Sequence, residues 1–342
     1  MRTEIHTFSS KKVEYIFDAT FSQIGELYHK DKVVVITDDN VFEHHSTKFE
    51  DYAIIKLPAG EAHKQQKTVD AIINQLLQLQ ADKQTVIVGV GGGVVTDMVG
   101  YAASIYTRGV KLVLAPTSVL AMVDAAVGGK NGVDVGSYKN MVGTVYQPDH
   151  LLFDYRFLDT LPEAEWINGF AEIIKHACIK DAALFDFLSG KNLVDFRNDK
   201  ELLAALLEKN VALKTSVVLN DEFETGDRKL LNFGHTIGHA IENSYQLSHG
   251  HAISIGMVAA CSISEEINNF YSVEKQRVIQ LLQQYKLPVK LHFDKEKIWE
   301  ILFMDKKRTN DSMNFILLDS IGAGIVKSIP LAQLKDLIYQ CL

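Results

Sequence analysis

The stretch LLNFGHTIGHA, residues 230 to 240, places two histidines four residues apart and punctuates them with two glycines. Read as one helix of about 3.6 residues per turn, it puts Arg228, Asn232, His235 and His239 in a single stripe and Leu230, Phe233, Ile237 and Ile241 on the opposite side. Solvent-facing stripes are usually built from Lys, Glu and Gln, which hydrate cheaply and form helices well. Two imidazoles beside an Arg and an Asn suit a different task, holding a divalent cation and an anionic ligand. A second stripe repeats the logic. In NGFAEIIKHACIK, Asn168, Glu172 and Lys175 share one face of an otherwise apolar helix. Glu172 and Lys175 are therefore expected to point into a site, the alternative being an internal i,i+3 ion pair. His176, turned by about 100 degrees from Lys175, reads as structural.

His235, His239, His249 and His251 lie between positions 235 and 251 of a chain that has 12 histidines in all. Zinc takes nitrogen and carboxylate ligands, and a catalytic zinc keeps three protein ligands and one open position. Glu172 with two of these histidines would complete such a set. Spacing alone favours His235 and His239 as the pair, with the SHGH segment as a further source.

These residues need elements to position them. Up to about residue 160, short β-branched runs alternate with helical stretches: VVVIT (33 to 37), AIIKL (53 to 57), TVIVGV (85 to 90) and KLVLAP (111 to 116) have the length of strands buried on both faces. QQKTVDAIINQLLQLQ and VVTDMVGYAASIY between them carry helical periodicity, giving a Rossmann-like, doubly wound parallel sheet. From Pro162 onward the periodicity turns helical, over 163 to 188, 200 to 219, 230 to 246, 250 to 269, 273 to 285 and 295 to 303, with one hairpin-like piece, FILLDSIGAGIVKSI. The expected organisation is an N-terminal α/β domain over 1–162 and a mostly α-helical domain over 163–342.

In the first domain, VIVGVGGGVVTDMVG reads strand, glycines, helix. Gly91, Gly92 and Gly93 let the backbone approach a ligand, and the helix start directs its amides there, which favours a diphosphate. The spacing is neither GxGxxG nor a Walker motif. Asp38, Asp39 and Asn40 follow one strand, and Glu61 and Lys64 the next, as expected for a nucleotide cleft at the carboxyl ends of a parallel sheet. KNGVDVGSYKNMVG reads as a flexible loop bringing Lys130, Lys139 and Asn140 among glycines, with Arg108 upstream; it suits a phosphorylated or carboxylated small substrate. Asp124, inside the apolar run SVLAMVDAAVGG, needs a partner such as a lysine or hydroxyl.

The 342 residues carry a formal charge of -8, which argues against nucleic-acid and anionic-membrane partners. The 3 cysteines are widely spaced, as suits free thiols in a reducing cytoplasm. The N-terminus has no apolar signal region, and no apolar run approaches the roughly 18 residues that span a bilayer.

From about residue 33 to 310 the sequence resembles the 3-dehydroquinate synthases, members of the sugar phosphate cyclase superfamily. The motifs that carry the resemblance are GGGVVTD, VDAAVGGKNGV, GSYKNMVGTVYQP, GFAEIIKHA, LNFGHTIGHAIE, HGHAISIGM and MDKK. The resemblance implies a cytoplasmic homodimer with an NAD-binding N-terminal domain, a helical metal-binding domain and an active site between them. It implies conversion of 3-deoxy-D-arabino-heptulosonate 7-phosphate to 3-dehydroquinate and phosphate. The steps would be transient oxidation by NAD⁺ at C5, β-elimination of phosphate, re-reduction, ring opening and intramolecular aldol closure. Zinc, with Co²⁺ as a substitute, would polarise the alcohol.

By the same matching the zinc ligands fall on Glu172, His235 and His249, which moves His239 from ligand to neighbour of the departing phosphate. Lys130 and Asn140 would hold the phosphate, with Arg108 reaching it from a partner subunit. Lys214, Arg228 and one of Lys306 and Lys307 would hold the carboxylate beside Asn232. Asp124 and Lys175 would meet the reacting hydroxyls. NAD would lie on Asp38, Glu61, Lys64, Gly92, Gly93, Asp97, Thr117, Ser118, Lys139 and Thr160, near Lys130. One departure stands out: the segment usually written HGE reads HGH, so His251 takes the place of a carboxylate and could alter the metal's surroundings or compete as a ligand. Rival readings are a metal-dependent polyol or alcohol dehydrogenase, which needs no phosphate-plus-carboxylate cation set, and another cyclase whose substrate lacks the carboxylate. A non-catalytic nucleotide-sensing module would not be expected to keep Glu172, His235 and His249 together.

Overall fold

The computed structural model describes the chain except residues 137, 269, 293, 304–307, 310 and 342. Lys306 and Lys307 therefore lie outside the described residues. The chain divides into two compact units, Met1–Glu165 with Ala204–Glu222, and Trp166–Leu203 with Phe223–Leu342. The units are not consecutive stretches of sequence, because residues 204–222 return to the first.

The first unit is built on strands β1 (Arg2–Thr7), β2 (Lys12–Phe17), β3 (Val33–Asp38), β4 (Ala53–Leu57), β5 (Val86–Gly91), β6 (Lys111–Pro116), β7 (Lys130–Val135), β8 (Tyr138–Val145) and β9 (His150–Phe153). Its short helices are α1 (Ile24–Leu27) and α2 (Asp39–His45), and its longer ones α3 (Gln66–Gln78) and α4 (Gly93–Ile105). Seven strands form one sheet in the order β1-β2-β9-β6-β5-β3-β4. All neighbours are parallel except the edge strand β1, which pairs antiparallel with β2. The four apolar runs are thus strands of one sheet, but only β3, β5 and β6 are buried on both faces; β4, expected to be, is the other edge strand, with Ala53 and Lys56 exposed. Val35 and Val88 pair across β3 and β5, wholly buried in a core with Val33, Val90, Ala115, Leu152 and Phe157.

The register sets the rim. Asp38 is opposite Leu57, Thr37 opposite Val90 and Gly91 opposite Pro116, so β3 to β6 all end at one level. The residues after those ends are the ones singled out from sequence. The segment expected as a cation-rich loop is instead a hairpin, β7 paired antiparallel with β8. Gly136, in the left-handed region at φ 59°, supplies what a tight turn between the two strands requires.

The second unit contains α5 (Glu163–Lys180), α6 (Ala182–Ser189) and α7 (Leu193–Asn198). After α8 (Lys200–Asn220), most of which belongs to the first unit, come α9 (His235–Tyr245), α10 (His249–Ile267), α11 (Ser272–Gln284), α12 (Lys295–Phe303) and α13 (Leu331–Cys341). Strands β10 (Arg308–Thr309), β11 (Ser312–Ser320) and β12 (Ala323–Pro330) form a small sheet, and β11–β12 is the hairpin expected from FILLDSIGAGIVKSI.

Two helices expected to be continuous are broken. The 163–188 stretch divides at Asp181, whose carboxylate accepts the Leu184 amide at 2.8 Å and caps α6. The LLNFGHTIGHA stretch is a 3₁₀ turn over Asp227–Asn232, then a break, then α9. Gly234 sits at φ 78°, a conformation that a side chain would strain, and this resets the chain direction before His235. Among the described residues no helix is long and apolar enough to cross a membrane.

Candidate metal centre and strand-end charge network

In the second unit, α5 is buried nearly all the way from Trp166 to Ile179, and Glu172 is wholly buried with Lys175 one turn on. A carboxylate so placed must find positive or hydrogen-bonding partners. The Lys175 ammonium lies on its Oε2. Its Oε1 meets two imidazoles, His249 Nε2 at 3.1 Å and His235 Nε2 at 3.5 Å. The i,i+3 ion pair foreseen as an alternative therefore exists, but it is buried and belongs to this cluster.

Each histidine is oriented through its other nitrogen. With its proton on Nδ1, His235 donates to the Phe233 carbonyl at 3.1 Å; His249 Nδ1 faces Glu242 Oε2 at 3.3 Å. Both Nε2 atoms are thereby turned on one carboxylate oxygen. The potential ligand atoms of Glu172, His235 and His249 lie within 4.8 Å of one another. One oxygen and two nitrogens at that separation fit three corners of a zinc tetrahedron. Burial disfavours charge on His249, yet its bonds to Glu172 and Glu242 outweigh that and push its pKa up to about 10. The cluster is set for a cation.

Spacing alone pairs His235 with His239, and the structure does not. His239 packs edge-on to His235 with ring centroids 5.1 Å apart, and its ligand atoms group with Glu242 and His249 instead. The reason lies in the glycines. A side chain at Gly256 of α10 would fall 2.0 Å from the Gly234 carbonyl oxygen, so α9 and α10 touch backbone to backbone. This close approach brings His249, at the start of α10, beside His235. Asn168 completes the frame: its Oδ1 accepts the Gly250 amide, docking the start of α10 on α5. His176 is wholly buried. His251 is half-buried, burial lowers its pKa, and no ligand grouping among the described residues includes it. Arg228 is buried in the 3₁₀ turn, and Asn232 donates to Glu224 and to the Lys229 carbonyl.

In the first unit, Gly92 is the N-cap of α4 and supplies no side-chain cap, so the helix's first amides are left to an outside acceptor. Thr117 and Ser118 are buried just beyond β6, with the Thr117 amide on the Gly91 carbonyl at 2.9 Å. Around that rim runs a charge network. Lys64 Nζ lies 2.6 Å from both Asp97 Oδ2 and Asn140 Oδ1. Burial works against the Lys64 ammonium, but Asp97, Glu61 and Asp134 more than offset it and hold its pKa above the usual value. Lys139 bonds Glu61 at 2.7 Å and lies 3.5 Å from Asp134, which in turn accepts the Asn140 amide at 2.7 Å.

Asp124 finds the lysine that its apolar setting demands, Lys214, whose ammonium contacts its carboxylate and lies 2.5 Å from its carbonyl. Lys214 is on the returning segment 204–222. Asp38 caps α2 by accepting the Val41 amide at 2.9 Å, and Thr160 shares a 2.8 Å bond with His45. Arg108 and Lys130 are exposed, Arg108 at the end of a 3₁₀ turn. Two residues escaped the sequence reading. Asp134 follows three buried residues in a segment whose glycines hid a strand. Glu242 stands seven residues after His235, on the stripe already singled out.

Residues 54–168 match the family description "3-dehydroquinate synthase N-terminal" and residues 169–308 match "3-dehydroquinate synthase C-terminal". The 3-dehydroquinate synthase of Campylobacter concisus is 38% identical over 317 residues, 90% of each chain. Among solved structures, 2-epi-5-epi-valiolone synthase from Streptomyces hygroscopicus subsp. jinggangensis, with NAD⁺ and Zn²⁺ bound, superposes with a TM-score of 0.88 at 25% identity, covering 100% of this chain and 99% of that one. A 2-deoxy-scyllo-inosose synthase complexed with carbaglucose-6-phosphate, NAD⁺ and Co²⁺ gives a TM-score of 0.86 at 26% identity, covering 100% of both chains.

Proposed function

The chain belongs to the 3-dehydroquinate synthase family, and from that premise we propose which of its residues carry the reaction. The activity is conversion of 3-deoxy-D-arabino-heptulosonate 7-phosphate to 3-dehydroquinate and inorganic phosphate, through transient oxidation, phosphate elimination, re-reduction, ring opening and aldol closure. The cofactors are NAD and a divalent metal, as in the solved cyclases. When bound, NAD⁺ accepts and returns the hydride while the divalent ion polarises the alcohol being oxidised.

The observation that carries the site assignment is the convergence of two Nε2 atoms on one oxygen of a buried carboxylate. Glu172, His235 and His249 are the proposed metal ligands. Their donor chemistry fits the ion, and the α4 N-terminus capped only by Gly92 fits a diphosphate. In the first unit, Gly92, Gly93, Thr117 and Ser118 are proposed to cradle NAD. Asp38, Glu61, Lys64, Asp97, Lys139 and Thr160 are proposed to position it. Lys130 and Asn140 would hold the substrate phosphate, and Asp124 would meet a substrate hydroxyl while Lys214 neutralises it. In the second unit, Arg228 and Asn232 would take the carboxylate, with Lys175 at the hydroxyl being oxidised and His239 at the departing phosphate. Most of what these residues contribute is orientation and fixed charge.

A homodimer is proposed in which Arg108 serves the neighbouring subunit; its exposure on a 3₁₀ turn supports that role. Cys178, Cys261 and Cys341 are free thiols, which supports a reducing, cytoplasmic setting.

The test is incubation of the purified chain with the heptulosonate phosphate and catalytic NAD⁺. Phosphate and dehydroquinate should form one to one without net NADH, and chelation should stop turnover until zinc is restored. Steady accumulation of NADH would point to a dehydrogenase; indifference to chelator would remove the metal assignment.

A further inference from the structure

The two imidazoles of the metal centre are anchored differently. His235 Nδ1 is held by a backbone carbonyl, which no substitution removes, whereas His249 Nδ1 is 3.3 Å from a side-chain carboxylate, Glu242 Oε2. Glu242 lies on α9, the helix before the one that His249 opens, and only 10% of its side chain is exposed. It shares the helix stripe of His235 and His239. We propose that Glu242 is a positioning residue: by accepting the Nδ1–H of His249 it fixes that ring's tautomer and orientation, so that Nε2 is presented to the metal together with Glu172 and His235.

This inference rests on the ligand assignment made under Proposed function. Glu242 could also be read as a ligand of a second ion with His239 and His249, since those ligand atoms cluster too. Serving both ions would require His249 to give up both ring protons. A neutral imidazole has one proton to donate, and a carboxylate 3.3 Å from that nitrogen is its acceptor.

The experiment uses the full chain loaded with Zn²⁺ by chelator competition, and with Co²⁺ to follow its visible absorption. Glu242→Leu should weaken Zn²⁺ binding about 10- to 100-fold and alter the Co²⁺ spectrum. Glu242→Gln, which keeps a carbonyl acceptor, should recover most of that loss. NAD affinity should be unchanged in both. Zn²⁺ held by Glu242→Leu as tightly as by the unsubstituted chain would overturn the proposal, as would a Gln variant no better than Leu. If Glu242→Leu does not fold, Glu242→Asp, which retracts the carboxylate, should weaken Zn²⁺ several-fold, and undiminished affinity would overturn the proposal. Glu172→Gln is the reference arm. If it retains Zn²⁺, the ligand assignment itself fails; if it loses Zn²⁺ while Glu242→Leu does not, only the role of Glu242 falls.

Discussion

The strand-end rim of the first unit and the histidine cluster of the second solve opposite electrostatic problems. At the rim the lysines are paired with carboxylates: Lys64 with Asp97, Lys139 with Glu61 and Asp134, Lys214 with Asp124. In the histidine cluster Lys175 sits on one oxygen of Glu172, but the other oxygen and Glu242 face rings that are neutral unless protonated, and the His249 pKa rises in consequence. A network in which these cations are already paired can admit an anionic or hydroxyl-rich ligand by exchanging partners. A cluster short of positive charge instead selects a cation and binds a proton in its place. Ligand binding should therefore rearrange the first region and complete the second.

The sharpest way to break this contrast is to remove the charge that the second region is built around. Glu172→Gln deletes the shared carboxylate and should abolish tight Zn²⁺ binding, with turnover falling about a thousandfold or more, since polarisation by a metal is worth several kcal/mol. Zn²⁺ titration and phosphate release measure both. NAD affinity should be unaffected, because the rim keeps its own ion pairs.

Unbalancing the rim should act on stability instead. Lys64→Met leaves Asp97 buried beside Asn140 without its ammonium, and removing one partner of a buried pair costs roughly 3 kcal/mol or more. The double variant Lys64→Met/Asp97→Asn should recover much of it. Denaturant unfolding would show this, and equal losses in single and double variants would mean the pair is not what balances the rim.

How much of each region could be read in the sequence follows the same division. Inner strands of the parallel sheet are legible because burial on both faces demands apolar runs, and KLVLAP becomes β6 at its own boundaries; AIIKL becomes β4 at its own boundaries although that strand is an edge buried mainly on one face. The edge strand β1 is not legible, since RTEIHT alternates charge and carries no such run. The β7–β8 hairpin was hidden by glycines and lysines that suit a loop equally well. Glu172 and His235 are legible as stripe residues on helices. His249 is not legible from spacing, because its partnership with His235 is fixed by a contact between two helices. Likewise the periodicity of 204–222 announces a helix but not the unit whose core it joins.

That helix contact offers a smaller test. Gly256→Ala places a methyl group 2.0 Å from the Gly234 carbonyl oxygen, so α9 and α10 must part. Overpacking of this kind costs about 1–3 kcal/mol. Zn²⁺ affinity should fall with it while NAD binding holds, because the separation misplaces His249 against His235. If thermal stability drops but Zn²⁺ affinity does not, the ligands are set by their hydrogen bonds rather than by the helix contact.

The smallest effect is a proton count. The folded-state pKa of His249, about 10, lies above its ordinary value near 6.5, so its proton stabilises the metal-free fold fully below pH 6.5, and that contribution is lost as pH rises through about 10. The metal-free chain should accordingly lose stability between about pH 7 and 10, whereas the Zn²⁺-loaded chain should show little slope there, because the ion replaces the proton. Between pH 7 and 8, calorimetric Zn²⁺ titrations in buffers of different ionisation heat should report about one proton released from this histidine. Release that vanishes in this range would mean His249 is neutral before metal arrives, so that no proton stands in for the ion in this cluster.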